Sequence, residues 1–108
     1  MNQPTPISAP PALQGLIDHD AGAVAALKNM REDLERRSGL DERTIELTRL
    51  GVLVALAAPA ESISAHVARA REIGVSGEEI WGVVMAVAPL VGVPRIVATA
   101  PAITAALS

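Results

Sequence analysis

The sequence contains no cysteine, so disulfides, thiolate metal sites and every thiol-based mechanism are unavailable to these 108 residues. Aromatic side chains are almost as scarce, because Trp81 is the only one. Without a set of aromatic rings, the chain offers no stacking surface to the bases of a single-stranded nucleic acid. Small aliphatic side chains must therefore build whatever core the protein has.

An excess of basic charge is also missing: nine lysines and arginines stand against twelve acids, for a formal net charge of −3. Proteins that bind nucleic acid present a basic patch to the phosphates. Here Arg36 and Arg37 follow Glu32, Asp33 and Glu35, a mixture that is typical of a solvated helix face. We therefore expect no nucleic-acid partner.

The first dozen residues, MNQPTPISAPPA, lack both the positive start and the continuous apolar run of a signal peptide. They are predicted to form a flexible N-terminal arm, residues 1–12, followed by a single helical domain over residues 13–108. The most apolar window, residues 80–97, contains two glycines, two prolines and Arg95, which favours a buried core or subunit interface over a membrane span. The expected location is the cytoplasm, with no membrane partner.

Apolar residues recur every three or four positions and rarely alternate, which predicts helices and almost no strand. The first long helix is predicted over Ala21–Arg37, with Asp20 as its N-cap and Gly39 as its stop. The apolar side chains predicted on its inward side are Val24, Leu27, Met30 and Leu34. A second helix is predicted from the Asp41 cap as far as Ala58.

The next two helices have clear start and stop signals. Pro59 is predicted at the first position of the third helix, and Gly74 as its left-handed stop. The fourth helix begins at VSGEEI, where Ser76 and Glu79 are spaced as a capping box and the flanking apolar residues as a hydrophobic staple. This is the strongest local signal in the chain.

Prolines are expected to limit the fourth and last helices. Pro89 should bend or end the fourth helix, and Gly92 and Pro94 should separate it from the last one. Pro101 should then interrupt the last helix. The sum is an all-α bundle of about five to six helices.

This predicted bundle is more apolar than a domain of its length can cover by itself. The segment GVLVALAA, residues 51–58, is apolar on every face of its helix, whereas a domain of this size buries only about two thirds of its unfolded surface. Large exposed apolar patches are rare on monomers. We therefore expect a homo-oligomer.

Residues 40–97 carry several features in a fixed order: LDERTIEL, a run of small apolar residues, a histidine, a glycine, SGEEI, and an apolar stretch that closes near GVP. In this order and spacing, the run resembles the carboxymuconolactone decarboxylase family within the AhpD-like superfamily. The resemblance implies an all-helical AhpD-like fold, assembled as a homotrimer or homohexamer.

The resemblance also implies one of two chemistries. An alkylhydroperoxidase group uses a CxxCxxxH motif with an upstream glutamate, whereas a decarboxylase group acts on a lactone of aromatic catabolism without the cysteine pair. His66 matches the motif histidine, but Pro59 and Ser62 occupy the two cysteine positions, so thiol peroxidase activity is not expected. The upstream glutamate matches Glu46. Its interval to His66 is one residue longer than in the thiol group, which leaves open whether the two side chains meet.

Ser62 and His66 lie four residues apart and share one face of the predicted helix. Such a pair suggests a nucleophile and its base. Alternatively, Ser62 only hydrogen-bonds His66 or a backbone carbonyl one turn back. His66 itself is either a general acid or base between two apolar helices, or a buried histidine that satisfies a hydrogen bond.

Decarboxylation of a carboxylated lactone requires a proton donor and a cation that holds the carboxylate. Arg95, Arg49 and Arg69 are candidates for the cation, with Arg95 preferred because it falls in the first turn of a predicted helix; a solvated surface role is the alternative for each. Trp81 is either a core or interface anchor or the floor of a substrate pocket. His19 and His66 are far apart in sequence and lack ligand-spaced carboxylates, so we expect no metal and no other cofactor.

Two functional hypotheses follow. In the first, the protein is carboxymuconolactone decarboxylase-like and acts on a small carboxylated or lactone-type molecule, with His66 as general acid/base and Glu46 as its orienting partner. In the second, it is a non-catalytic, oligomeric small-ligand-binding or scaffold protein that retains the family fold. The persistence of a histidine in apolar surroundings favours the first, and the loss of the reactive sulfurs favours the second.

Overall fold

The computed structural model describes residues 11–108, so residues 1–10 of the predicted arm lie outside the described residues. The described part begins with a 3-10 turn at Pro11–Leu13 and contains six α-helices and no strand. The helices are α1 Gln14–His19, α2 Ala23–Ser38, α3 Glu42–Ala55, α4 Ala60–Glu72, α5 Gly77–Val91 and α6 Val93–Leu107. The all-α prediction is confirmed.

The contacts divide the chain into two compact units, one that ends at Gly39 and one that runs from Leu40 to Ser108. The first contains α1 and α2, and the second contains α3 to α6. The expectation of a single domain over residues 13–108 stays a prediction. None of the helices within residues 11–108 is both long and apolar enough to cross a membrane.

The first unit begins differently from the prediction. Asp20 is not the N-cap of the long helix: α2 starts at Ala23, and its cap position is Gly22. The Asp20 carboxylate instead accepts a hydrogen bond from the Gly22 N–H at 2.9 Å, which closes the turn between α1 and α2. The short helix α1 was not predicted, because six residues are too few to show a helical period.

The apolar stripe predicted to face inward on α2 is largely exposed. Met30 and Leu34 are each 55% exposed and Leu27 is 48% exposed, and no residue of α2 is buried. Local ion pairs join the charged side chains along this helix; they are Lys28–Glu32, Arg31–Glu35, Arg36–Asp33 and Arg37–Asp33. The helical period of α2 was predicted correctly, whereas the burial of its stripe was not.

The second unit holds a continuous aliphatic core. In it, α4 packs against α6 and α3, and α3 packs against α5. The core side chains are Leu50, Val54, Ile63, Val67, Ala70, Val75, Ile80, Val84 and Ile103. Gly51 allows α3 and α5 to approach closely, because a Cβ atom there would lie 3.2 Å from Cγ1 of Val87.

Two helix starts in the second unit are as predicted. The Asp41 carboxylate accepts a hydrogen bond from the Thr44 N–H at 2.7 Å at the start of α3. At the start of α5, Ser76 and Glu79 form both hydrogen bonds of a capping box. A cap needs only residues within one turn of the chain, so sequence alone can specify it.

The ends of α3 and α4 use the same hydrogen-bond pattern but different residues. The α3 helix stops at Ala55 rather than Ala58, since Ala57 adopts a left-handed conformation with φ of 49°. The two closing bonds run from Ala57 N to Val54 O and from Ala58 N to Leu53 O, which is a Schellman motif. The α4 helix ends the same way with Gly74 at the left-handed position, as predicted.

Prolines interrupt the chain less than predicted. Pro59 is the N-cap of α4 and not its first helical residue. The α5 helix continues past Pro89 to Val91, and α6 runs through Pro101 to Leu107, so the interruption predicted at Pro101 is wrong.

The two helices tolerate their internal prolines for a common reason. Each proline lacks an N–H, so the backbone carbonyl four residues earlier loses its hydrogen-bond partner. Those carbonyls belong to Met85 and Val97, which are 70% and 65% exposed. Water can satisfy a carbonyl in such a position, so the helix tolerates the proline.

Candidate functional site

Glu46 on α3 and His66 on α4 are in direct contact although twenty residues separate them in sequence. The distance between Nδ1 of His66 and Oε2 of Glu46 is 2.9 Å. The interval from Glu46 to His66 is one residue longer than in the thiol group, and the sequence left open whether the two side chains meet. In the structure they do meet.

The core holds this pair in place. Glu46 precedes Leu50 and Val54 by one and two turns on the face of α3 that enters the core. His66 is followed directly by Val67, whose side chain is fully buried. Because α3 and α4 are locked together by these apolar contacts, the carboxylate and the imidazole are fixed at hydrogen-bonding distance without an anchoring loop.

The hydrogen bond assigns different tasks to the two ring nitrogens of His66. A carboxylate oxygen can only accept, so the bond requires Nδ1 to carry a hydrogen and donate it to Glu46. Nε2 has no hydrogen-bond partner among residues 11–108. The His66 side chain is 19% exposed, which leaves the pair accessible from the surface. Nε2 is thus the ring nitrogen that makes no hydrogen bond within the described part of the chain.

Arg49 brings a positive charge to the same carboxylate. Its Nη1 lies 3.9 Å from Oε1 of Glu46, the oxygen that His66 does not use. The Glu46 side chain is 11% exposed and that of Arg49 is 27% exposed. Glu46 therefore lies between an imidazole and a guanidinium, in a partly desolvated setting where both interactions are stronger than at an open surface.

Ser62 lies one turn before His66 on α4 and is partly buried. No hydrogen bond joins its hydroxyl to His66, or to a backbone carbonyl, within the described residues. The geometry thus supplies neither the contact of a nucleophile with its base nor the purely structural bond considered as the alternative. A catalytic role for Ser62 stays a prediction.

Arg95 and Trp81 are placed elsewhere in the second unit. Arg95 is exposed in the first turn of α6 and lines an apolar groove that includes neither Glu46 nor His66. Trp81 is partly buried on α5 and packs against the aliphatic core. Their roles in substrate binding stay predictions, and the structure brings neither into contact with the Glu46–His66 pair.

The groove beside Arg95 was not found from the sequence. It encloses about 360 Å³ between the second half of α3 and the last turns of α5. Its apolar lining consists of Gly51, Val52, Ala55, Val87, Leu90 and Val91. The sequence feature that could have pointed to this groove is the GVLVALAA segment. Its small side chains predict close packing of helices but do not indicate where two helices leave a space.

The described residues contain no group of three or more metal-ligating side chains that could hold a cation. The Glu46–His66 pair supplies only two such groups, and the cationic Arg49 lies 3.9 Å from the same carboxylate. A divalent metal would have to displace that guanidinium and recruit further ligands.

The family model of the carboxymuconolactone decarboxylase family matches residues 21–105, which is well over half of the chain. It includes Glu46, His66 and Arg49 and the whole of residues 40–97, on which the resemblance rests. No curated protein and no solved structure matches the chain.

Proposed function

Because the chain belongs to the carboxymuconolactone decarboxylase family, we propose that it acts on a small carboxylated or lactone-type molecule, with His66 as general acid/base. The observation that carries this proposal is the 2.9 Å contact between His66 and Glu46, two groups that residues 42–72 bring together from different helices. Thiol peroxidase activity is excluded from the proposal, since the 108 residues contain no cysteine.

The proposed step is a decarboxylation. The bond between the substrate carbon and its carboxylate breaks, carbon dioxide leaves, and the electron pair stays on the carbon. The imidazolium form of His66, which carries one hydrogen on Nδ1 and one on Nε2, gives its Nε2 proton to that carbon; the neutral ring then recovers a proton from water, and hydroxide is released. Glu46 accepts a hydrogen bond from Nδ1 throughout, which orients the ring and stabilises it when both nitrogens are protonated.

Arg49 is the proposed anion-binding group of this step. Its guanidinium lies 3.9 Å from the Glu46 carboxylate, whereas Arg95 lines a separate groove. A guanidinium near the reacting carbon can hold a substrate carboxylate or a developing enolate oxygen through two parallel hydrogen bonds. The preference for Arg95 drawn from sequence is therefore replaced by Arg49.

The test compares the two histidines. Purified wild type, His66→Asn and His19→Asn are assayed against a panel of carboxylated lactones by release of carbon dioxide. General acid–base catalysis contributes about 100-fold or more, so His66→Asn should lose at least that much, while His19→Asn, altered at an exposed position of α1, should retain wild-type turnover. Equal rates for wild type and His66→Asn would overturn the proposal.

The proposal would also be overturned if wild type consumed no lactone and no lactone moved the NMR resonances of His66. The ligand-binding or scaffold hypothesis would then replace it.

Glu46 is proposed as a positioning residue, which requires a readout other than rate. In ¹⁵N spectra of the two imidazoles, wild type should show hydrogen on Nδ1 of His66, because Glu46 accepts from that atom. Glu46→Gln should redistribute this hydrogen toward Nε2, since a glutamine can also donate. An unchanged tautomer in Glu46→Gln would contradict the assignment, whatever the effect on rate.

We also propose that the protein self-associates, as the family resemblance and the apolar composition led us to expect. Support comes from the exposed apolar stripe of α2, formed by Leu27, Met30 and Leu34, because such stripes pack against other helices. In sedimentation experiments, Met30→Glu should lower the association state and Asn29→Glu, on the neighbouring exposed position, should leave it unchanged. A monodisperse wild-type monomer at micromolar concentration would refute this proposal.

A further inference from the structure

The groove between α3 and α5 combines an apolar wall with a single charge. Six of its seven lining residues are apolar, and the seventh is Arg95. We name it the Arg95 groove. Its volume of about 360 Å³ falls within the range of small-molecule sites in proteins, about 300 to 1,000 Å³.

The floor of the Arg95 groove depends on Gly51. A Cβ atom at this position would lie 3.2 Å from Val87 and 3.5 Å from Val83. The missing side chain thus brings α5 close to α3 at the bottom, while Val52 on one rim and Leu90 on the other stay 51% and 91% exposed. The result is a groove with a packed floor and an open mouth.

The charge in the groove has no partner in the described chain. The guanidinium of Arg95 makes no ion pair or hydrogen bond with any residue from 11 to 108, and none of the lining residues is acidic. The Arg95 backbone carbonyl is engaged separately, since it accepts a hydrogen bond from Oγ1 of Thr99 at 2.8 Å. An apolar wall next to an unpaired cation is complementary to a molecule with a hydrocarbon body and one negative group.

We propose that the Arg95 groove binds a small apolar monocarboxylate, whose hydrocarbon part lies against Val52, Ala55 and Leu90 and whose carboxylate pairs with Arg95. This site is separate from the Glu46–His66 pair, which does not line the groove. A second protein copy fits less well as the occupant, because an apolar surface laid over Arg95 would desolvate an uncompensated charge. A carboxylate ligand supplies that compensation.

Methyl NMR with two eight-carbon probes tests the site. Octanoate and the uncharged n-octanol are titrated separately into wild type, Arg95→Gln and Arg71→Gln. Arg71 is the matched control because it is an exposed arginine near the end of α4 and does not line the groove.

The expected result is a saturable octanoate-dependent shift of the methyl signals of Val52, Ala55 and Leu90 in wild type and in Arg71→Gln. Loss of a charge-assisted pair should weaken octanoate binding by Arg95→Gln about tenfold, and leave n-octanol binding unchanged. His66→Asn should bind octanoate like wild type, so failure of the groove and failure of the proposed catalytic pair are separate results.

Three outcomes would overturn the inference. The first is equal octanoate affinity for wild type and Arg95→Gln, and the second is octanoate-dependent shifts confined to residues outside the groove. The third is a shift of the same methyl signals with protein concentration alone, which would assign the groove to a second copy of the chain.

Discussion

The two halves of α3 present opposite chemistry on the face of the helix that enters the core. The first half presents Glu46, which is 8% exposed and bonded to His66, and the second half presents Leu50 and Val54, which are 2% and 1% exposed. Both halves are nearly removed from water, yet only the second is apolar. The comparison therefore isolates what the polar contact adds at similar burial.

Burial stabilises the two halves unequally. An apolar side chain gains about 25 cal/mol for each Å² withdrawn from water, whereas a carboxylate and an imidazole must first give up their hydration. Pairs of this kind contribute little net stability, although losing one partner is costly. A buried pair that the fold does not need for stability is a candidate for function.

The largest predicted effect on stability is in the apolar core to which the second half of α3 contributes. Ile63 on α4 is 1% exposed in the core that contains Leu50 and Val54. Ile63→Ala should lower the free energy of unfolding by about 2 to 5 kcal/mol, because it removes buried methyl groups and leaves a cavity. Chemical denaturation measures the loss.

The control for this prediction is Ser64→Ala at the exposed neighbouring position of α4, where a change within about 0.5 kcal/mol is expected. A loss for Ile63→Ala no larger than that of the control would show that the apolar half does not carry the stability of the fold.

The next effect concerns the polar half and takes the form of a double-mutant cycle. Glu46→Leu and His66→Leu should each lower the free energy of unfolding by about 1 to 3 kcal/mol, since each leaves a desolvated polar partner without its bond. The double variant should recover part of this loss, because neither the carboxylate nor the imidazole remains without the other, although Arg49 still loses its contact with Glu46.

The double variant should at the same time be inactive toward any lactone that wild type consumes. If instead the two single losses add in the double variant, the pair has no mutual coupling in the folded state, and the contrast between the two halves of α3 is lost.

A smaller effect is expected where the apolar half ends. Ala57 at the end of α3 and Gly74 at the end of α4 occupy the same left-handed position of a Schellman motif. An L residue there costs about 1 kcal/mol or more relative to glycine. Ala57→Gly should therefore raise the melting temperature and Gly74→Ala should lower it.

Gly74 is the cleaner of these two sites, because a Cβ atom built there would meet nothing within 4 Å. Its substitution thus reports backbone strain alone. Equal melting temperatures for wild type and both variants would remove the strain assigned to Ala57.

The smallest effect on stability is expected at the start of α3, where Asp41 caps the helix before Glu46. Hydrogen bonds from the backbone and then the side chain of Thr44 hold the pKa of the Asp41 carboxyl below its ordinary value of 3.8. A lowered pKa in the folded state means that this stabilisation is complete above the ordinary pKa and disappears as pH falls through the folded one.

Asp41→Asn keeps a capping oxygen but has no charge to titrate. Thermal melts between about pH 6 and about pH 3 should therefore show wild type losing more stability in acid than Asp41→Asn. Parallel losses in the two proteins would contradict the lowered pKa.

The features predicted correctly from sequence are local ones. The Asp41 cap, the Ser76–Glu79 box and the Gly74 stop each depend on residues within about one turn of one another. The end of α3 was placed three residues too far, because alanine favours the helix and gives no stop signal, whereas Ala57 adopts a left-handed conformation in the turn before Pro59.

The candidate site could be predicted only in part. Family resemblance selected Glu46 and His66, but spacing along the chain gives no distance between residues on different helices. The contact at 2.9 Å depends on how α3 and α4 pack. Arg95 was assigned to the same site for its place in a helix, whereas the start of α6 places it beside a separate groove between α3 and α5.

By itself, the sequence determined the helical period, the capped helix starts, the absence of thiol chemistry and the family, because each of these depends only on residue types and short spacings. Only the tertiary structure decided which side chains are buried, that Glu46 bonds His66, and that Gly51 forms the packed floor of a groove next to Arg95. The physical reason is that burial and distance belong to pairs of packed helices, and packing depends on the shapes of all the side chains in the core at once.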